Sequence, residues 1–129
     1  MPIVTALYAG LLGLISIGVA FPAGSLRGRL NVSVGDGGNR DLLLAMRRHA
    51  NFTEWVPLAL ILIALLELNG ARLWGIHALG AALVLGRLVH AFGIRADTMK
   101  SLGRLVGASA TAAVTVTSSV WLIIIFVRH

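Results

Sequence analysis

The sequence predicts an all-α integral membrane protein whose single domain, residues 1–129, is a four-transmembrane-helix bundle. Hydrophobic residues make up 57% of the chain and charged residues 12%, and the mean hydropathy of +0.89 is far above that of a globular domain of this size. Four apolar segments are each about 20 residues or longer, enough to cross a hydrocarbon core of roughly 30 Å. Polar and basic residues concentrate between these segments.

The charge of the chain favours lipid headgroups over nucleic acid. The formal net charge is +6 at pH 7, and in so apolar a chain basic residues usually report loop topology. Because no stripe of lysines and arginines alternates with aromatic residues, we expect no nucleic acid among the partners. The chain has no cysteine, so any thiol chemistry must come with a substrate. No HxxxH or ExxH pair occurs, and we expect no metal site.

The first predicted span covers about 3–24 and contains no charged residue. A signal peptide would carry a basic region before its apolar run, so we expect an uncleaved first helix. Pro22 should kink or end this helix. Gly10, Gly13 and Gly18 are small enough for close contact with another helix.

A polar connection, Ser25 to Asp41, separates this span from the second one. Its Gly-Asp-Gly-Gly-Asn centre is typical of a turn; a phosphate loop would need a Walker lysine and a preceding strand. Asn39 or Asp41 should cap the next helix. The second span, about 41–69, is bent by Pro57 and ends at Asn69-Gly70.

The third and fourth spans are predicted at about 73–92 and 102–127. Gly75, Gly80 and Gly86 give the third span small contact positions, and the small and hydroxyl residues of 108–119 indicate a tightly packed helix interface in the fourth. Basic residues cluster beside the first and third connections. These residues are Arg27, Arg29, Arg40, Arg47, Arg48, Arg95, Lys100 and Arg104. Both connections are therefore expected in the cytoplasm and both termini outside it.

Polar side chains converge at this cytoplasmic end. Arg47, Asn51 and Glu54 lie at i, i+4 and i+7, so one helix face offers a cation, an amide and an anion, which suits a small zwitterion. Arg87 and His90 end the third span and Arg104 begins the fourth. The arginines could bind an anion or reach lipid headgroups. Glu54 could pair with an internal arginine such as Arg87 or with a ligand ammonium, whereas His49 is expected to pack between helices.

These residues resemble a known family. The pattern Arg47-x-His49-x-Asn51-x-x-Glu54, followed by an aromatic residue, a proline and an aliphatic run, is similar to the signature of the MAPEG superfamily, membrane-associated proteins in eicosanoid and glutathione metabolism. Gly86-Arg87-x-x-His90 and the position of Arg104 extend the resemblance over nearly the whole chain. The Gly-Asp-Gly-Gly and Ala-Asn-Phe-x-Glu segments look like bacterial members.

The resemblance implies a homotrimer that binds glutathione as a co-substrate between neighbouring subunits, near the cytoplasmic face. Arg104 corresponds to the catalytic arginine that stabilises the glutathione thiolate. The glutathione-binding positions that it implies are Arg47, Asn51, Glu54, Arg87 and His90, with Arg27 or Arg29 from the first span. Two departures stand out: Ile94 replaces a tyrosine of two family synthases, and Leu105 replaces a serine of one of them.

We therefore expect a glutathione-dependent membrane transferase or peroxidase, located in a bacterial inner membrane, that acts on lipophilic electrophiles or hydroperoxides. The acceptor, a lipophilic small molecule or lipid, would enter from the bilayer. An alternative is a non-catalytic lipid-binding or scaffold membrane protein of the same fold. A transporter or channel subunit is a weaker alternative, since the sequence has no inverted repeat or broken helix.

Overall fold

A computed structural model describes residues 1–93 and 102–128, and all regular structure in that part of the chain is helical. The four helices are α1 (Ile3–Leu30), α2 (Arg40–Leu68), α3 (Leu73–Gly93) and α4 (Leu102–Val127). Each is long and apolar enough to cross a membrane. The predicted all-α bundle of four membrane helices is confirmed. The predicted third connection, with Ile94, Arg95 and Lys100, lies outside the described residues.

The first helix is longer than the sequence analysis predicted. It passes through Pro22 and ends at Leu30, so Ser25–Leu30, predicted as connection, are helical. Pro22 does not end the helix, and the leucines and arginines that follow are good helix formers. Two arginines in the last turn also suit the negative end of the helix dipole. The helix stops at Asn31, whose φ of 53° is left-handed.

The turn and cap predicted around α2 are present. The Asp36 carboxylate accepts a hydrogen bond from the Gly38 backbone N–H at 2.9 Å, and Gly38 has a positive φ of 73°. The Asn39 side chain accepts from the backbone N–H groups of Asp41 and Leu42, which makes Asn39 the N-cap. Pro57 lies inside α2 without ending it, and the helix ends at Leu68, next to Asn69-Gly70.

A stripe of buried side chains turns one face of α2 toward the bundle interior. Phe52, Val56, Ala59, Ile63 and Leu66 recur at helical spacing, and all are at most 5% exposed. They pack against buried residues of α1, α3 and α4. The adjoining face of α2 carries Arg47 and Asn51, so core packing decides where these two side chains point.

The helices α3 and α4 pack almost backbone to backbone, as their small residues predicted. A Cβ placed on Gly107 would lie 2.5 Å from both the Gly86 carbonyl oxygen and the His90 Cβ, which leaves no room for a side chain. A Cβ on Gly86 would lie 2.9 Å from the Ala110 Cβ. The buried Thr111 hydroxyl donates to the Gly107 carbonyl at 3.0 Å, which satisfies its donor within α4.

The close helix contacts predicted for the glycines of α1 are not found among the described residues. A Cβ on Gly10, Gly13 or Gly18 would meet no atom of the described residues within 4 Å. The expected helix contacts at these glycines are therefore not made within the subunit. The helix is held by other residues, among them the buried Leu12 and Ala23.

At the opposite end of the bundle from the predicted site, α2 is tied to the start of α1. The Glu67 carboxylate accepts from the backbone N–H groups of Val4 (2.9 Å) and Thr5 (2.7 Å) and from the Thr5 hydroxyl (2.6 Å). These donors belong to the first turn of α1, where N–H groups lack helical partners and the dipole favours a negative charge. Glu67 therefore caps a neighbouring helix.

Candidate functional site

The site is built around a buried arginine of α3. Arg87 is only 2% exposed, and its Nη2 donates to the Asn51 Oδ1 at 2.8 Å. Its guanidinium carbon lies 5.9 Å from the centre of the Phe52 ring. Its buried Nε has no hydrogen-bond partner in the described part of the chain. A buried cation with an unused donor is costly unless an anion joins it, so this position favours anion binding.

Two adjoining cavities lie at this end of the bundle, and Arg87 lines the second of them. The first cavity, of about 290 Å³, lies at the start of α2, and its lining residues are Arg40, Leu43, Leu44, Arg47, Asn51, His90 and Arg104. The second cavity, of about 340 Å³, lies further along α2 and α4, and its lining residues are Asn51, Trp55, Arg87, His90, Arg104, Ala108, Ser109, Thr111 and Ala112. The two cavities meet at their shared residues, Asn51, His90 and Arg104.

The charges around the two cavities have one sign. Four arginines line them, Arg40, Arg47, Arg87 and Arg104, and the described lining residues include no carboxylate. Guanidinium groups present forked donors that match carboxylate and phosphate oxygens. The arrangement therefore suits a ligand with more than one anionic group.

The close packing of α3 and α4 positions Arg104 beside His90. Arg104 lies one turn before Gly107, and Gly107 lets the α4 backbone approach α3 at the buried His90. Arg104 thus stands where the two cavities meet, and it is the one charged residue of α4. The glycine acts through the distance between helices rather than through any contact with a ligand.

The second cavity combines two arginines, Arg87 and Arg104, with apolar and hydroxyl walls. Trp55 borders it from α2, and Ala108 and Ala112 border it from α4. Ser109 and Thr111 add hydroxyl groups, although Thr111 already donates to Gly107. An apolar group could therefore lie close to the Arg104 guanidinium.

The structure brings together five of the predicted site residues and leaves three apart. Arg47, Asn51, Arg87, His90 and Arg104 line the cavities. Glu54 is exposed and lies outside the two cavities. Among the described residues Arg87 bonds to Asn51, its Nε has no partner, and no contact joins it to Glu54, so the structure does not make the pairing of Glu54 with Arg87.

The two arginines of α1 also lie apart from the cavities. The Arg27 guanidinium donates to the backbone carbonyl groups of Val32 (3.4 Å) and Ser33 (3.0 Å) and lies 3.3 Å from the Met46 sulfur. It therefore holds the first connection against α2. Arg29 is exposed at the end of the same helix.

Sequence reasoning missed Arg40 as a lining residue. It lies seven residues before Arg47 and therefore on the same face of α2, and both line the first cavity. Arg40 entered only the prediction of membrane orientation, although its spacing from Arg47 also places the two arginines together. Trp55 was likewise missed, because an aromatic residue near a membrane interface has a common explanation as an anchor.

Comparisons with known proteins identify the family. The MAPEG family model matches residues 5–124. The inner membrane protein YecN of Escherichia coli strain K12 is 41% identical to the chain over 90 residues, which cover 70% of this chain and 69% of YecN. YecN of Escherichia coli O6:H1 matches with the same identity and coverage. No solved structure matches the chain. Because the family match covers almost the whole sequence, the resemblance is confirmed: the chain is a membrane protein that belongs to the MAPEG family.

Proposed function

We propose that this protein is a glutathione-dependent membrane transferase or peroxidase that acts on lipophilic electrophiles or hydroperoxides. The observation that carries the proposal is the pair of joined cavities, lined by four arginines and by no carboxylate of the described residues. Glutathione has two carboxylates, an ammonium and a thiol. Its anionic groups match the arginines, and its thiol supplies the thiol nucleophile that a chain without cysteine lacks.

Glutathione would bind through the first cavity. Arg40 and Arg47, one above the other on α2, would bind one carboxylate. The unused Nε of the buried Arg87 would donate to an anionic oxygen, while its Nη2 stays on Asn51. Such a bond would remove the cost of the unsatisfied buried donor.

The thiol would lie at Arg104, where the cavities meet. A guanidinium beside sulfur lowers the thiol pKa, because it stabilises the thiolate, and so raises the reactive fraction at neutral pH. Attack of the thiolate on an electrophilic carbon forms a carbon–sulfur bond, and the leaving group or opened ring takes up the proton.

A hydroperoxide would follow a related route. The thiolate attacks the terminal oxygen, the O–O bond breaks, and the released alkoxide takes a proton to become an alcohol. The sulfenic acid of glutathione then reacts with a second glutathione, which gives oxidised glutathione and water. The second cavity, with Trp55 and the alanines of α4, would hold the lipophilic acceptor beside Arg104.

The glutathione ammonium and the predicted residues outside the cavities point to a site between subunits. No acidic group among the described lining residues could bind an ammonium, whereas Glu54 is exposed on the Arg47 side of α2. In a homotrimer, a neighbouring subunit could bring Glu54, Arg27 or Arg29 to these cavities. We place this assembly in a bacterial inner membrane, with the site on the cytoplasmic side and both termini opposite, because the basic residues cluster around the site.

The test is a titration of the detergent-solubilised protein with glutathione, followed by the ultraviolet absorbance of the thiolate. The proposal expects binding with a thiolate signal in the wild type, and loss of that signal in Arg104→Ala. Arg72→Ala, at the opposite end of the bundle, is the matched control and should keep both. Absence of binding at millimolar glutathione would overturn the proposal. Binding without a thiolate signal in the wild type would instead favour the non-catalytic alternative.

A further inference from the structure

A second binding region lies between α1 and α3. This α1–α3 groove has a volume of about 280 Å³, and its lining residues are Ile15, Gly18, Val19, Pro22, Leu88, Ala91 and Arg48. Arg48 of α2 is the one charged group among these residues. Within the described chain, the groove shares no lining residue with the two cavities.

Helical geometry explains why the groove is separate from the cavities. Arg47 and Arg48 are adjacent in sequence, but successive residues point about 100° apart around a helix. Arg47 therefore faces the first cavity and Arg48 faces the groove. Arg87 and Leu88 divide in the same way between the second cavity and the groove.

The floor of the groove is a smooth apolar strip along α1. Ile15, Gly18 and Pro22 follow one face of the helix over a length of roughly 10 Å. Gly18 faces open space in the groove, since a Cβ there would meet no described atom within 4 Å. Leu11, 41% exposed, continues the same face by one turn.

The two ends of the seam between α1 and α3 differ. At one end, the Tyr8 hydroxyl and the His77 Nδ1 lie 3.0 Å apart and join the two helices. The Tyr8 ring also packs on Gly80, which lacks a side chain. At the other end, the seam opens into the groove, where Arg48 is half-buried. The seam is thus closed and polar at one end and open, apolar and cationic at the other.

We propose that the α1–α3 groove binds a long-chain carboxylate, with its hydrocarbon chain along Ile15 and Leu88 and its headgroup on the Arg48 guanidinium. A guanidinium remains charged at any ordinary pH and binds carboxylates through two parallel hydrogen bonds. The apolar lining matches hydrocarbon, and the half-buried Arg48 stem can pack along the chain while its head meets the carboxylate. A single seam between two helices has room for one chain, which favours a fatty acid over a two-chain phospholipid.

The headgroup is tested by native mass spectrometry of the protein in neutral detergent with oleate, oleyl alcohol or phosphatidylglycerol. Oleate should bind about tenfold more tightly than the alcohol, as expected for a charged hydrogen bond. Arg48→Gln should abolish that difference, while Arg72→Gln, which removes the same charge elsewhere, should preserve it. The proposal would be overturned if Arg48→Gln and Arg72→Gln showed the same preference for oleate over oleyl alcohol. It would also be overturned if the wild type retained phosphatidylglycerol but not oleate.

The groove itself is tested by filling it. Gly18→Leu places a side chain in the groove without a clash, and Gly13→Leu places one about 140° away on the same helix, also in open space. Gly18→Leu should lower oleate affinity at least about tenfold through lost apolar burial, and Gly13→Leu should not. Equal binding by the two variants contradicts the proposal. So does loss of the oligomer in Gly18→Leu alone, which would make the groove a contact between subunits. Failure of glutathione binding would leave this result unaffected.

Discussion

Asn51 and Arg87 are 36 residues apart in sequence and joined by a 2.8 Å hydrogen bond between α2 and α3. The bond fixes a buried guanidinium on the wall of the second cavity, while Asn51 itself lines both cavities. Asn51 therefore has two roles in the proposed site: it can contact a ligand, and it orients the cation that attracts the ligand.

Removal of the amide should destabilise the bundle. In Asn51→Leu, the buried Arg87 loses its side-chain acceptor, and we expect the free energy of unfolding to fall by about 1–3 kcal/mol, the cost of an unsatisfied buried group. Chemical unfolding in mixed micelles measures the change. The double variant Asn51→Leu/Arg87→Met should recover much of the loss, because it removes the uncompensated charge. A double variant that is as unstable as the single one would show that the charge is not the cause.

Substitution of the two adjacent arginines of α2 should distinguish the two proposed sites, because only one of these arginines lines the first cavity. Arg47→Ala should weaken glutathione binding by about 1.5–3 kcal/mol, the range for a hydrogen bond to a charged group, and Arg48→Ala should leave it unchanged, because Arg48 faces the α1–α3 groove. Isothermal titration with glutathione gives both affinities. Equal losses in the two variants would indicate a general effect of surface charge.

A side chain on Gly107 should push α3 and α4 apart. Gly107→Val would place its Cβ against the Gly86 carbonyl and His90, and we expect a loss of about 1–3 kcal/mol in the free energy of unfolding, as for other overpacked sites. Glutathione affinity should fall as well, since Arg104 would move away from His90. Gly10→Val, whose Cβ would meet open space, is the matched control. Unchanged stability and affinity in Gly107→Val would contradict the close helix approach.

The Glu67 cap should stabilise the end of the bundle away from the cavities. Glu67→Ala leaves three donors of the first turn of α1 without their acceptor, and we expect the free energy of unfolding to fall by about 1–3 kcal/mol. Thr5→Val, which removes one of the three bonds, should cost less. Glu54→Ala removes an exposed carboxylate and should change stability by less than about 0.5 kcal/mol. Thermal unfolding in detergent ranks the three variants, and a Glu67→Ala as stable as Glu54→Ala would refute the role of the cap.

Features that depend on nearby residues were predictable from the sequence. The four apolar helices, the Asp36 turn, the Asn39 cap and the stop at Asn69-Gly70 all follow from length, hydropathy and turn chemistry within a few residues. The common face of Arg47 and Asn51 also follows, because the helical repeat fixes which residues stack along α2. The small residues of α3 and α4 indicated close packing before any partner was known.

Features that depend on how one helix is rotated against another required the tertiary structure. The sequence offered Glu54 as a candidate partner of Arg87, and only the packing of the Phe52 face of α2 into the core brought Asn51 to Arg87 instead. The packing of the helices likewise brings Gly107 close to His90, and it directs Arg47 to the first cavity and Arg48 to the α1–α3 groove. A helix's own periodicity sets the order of side chains around its axis, but the direction in which each one points is set by the buried faces of its neighbours.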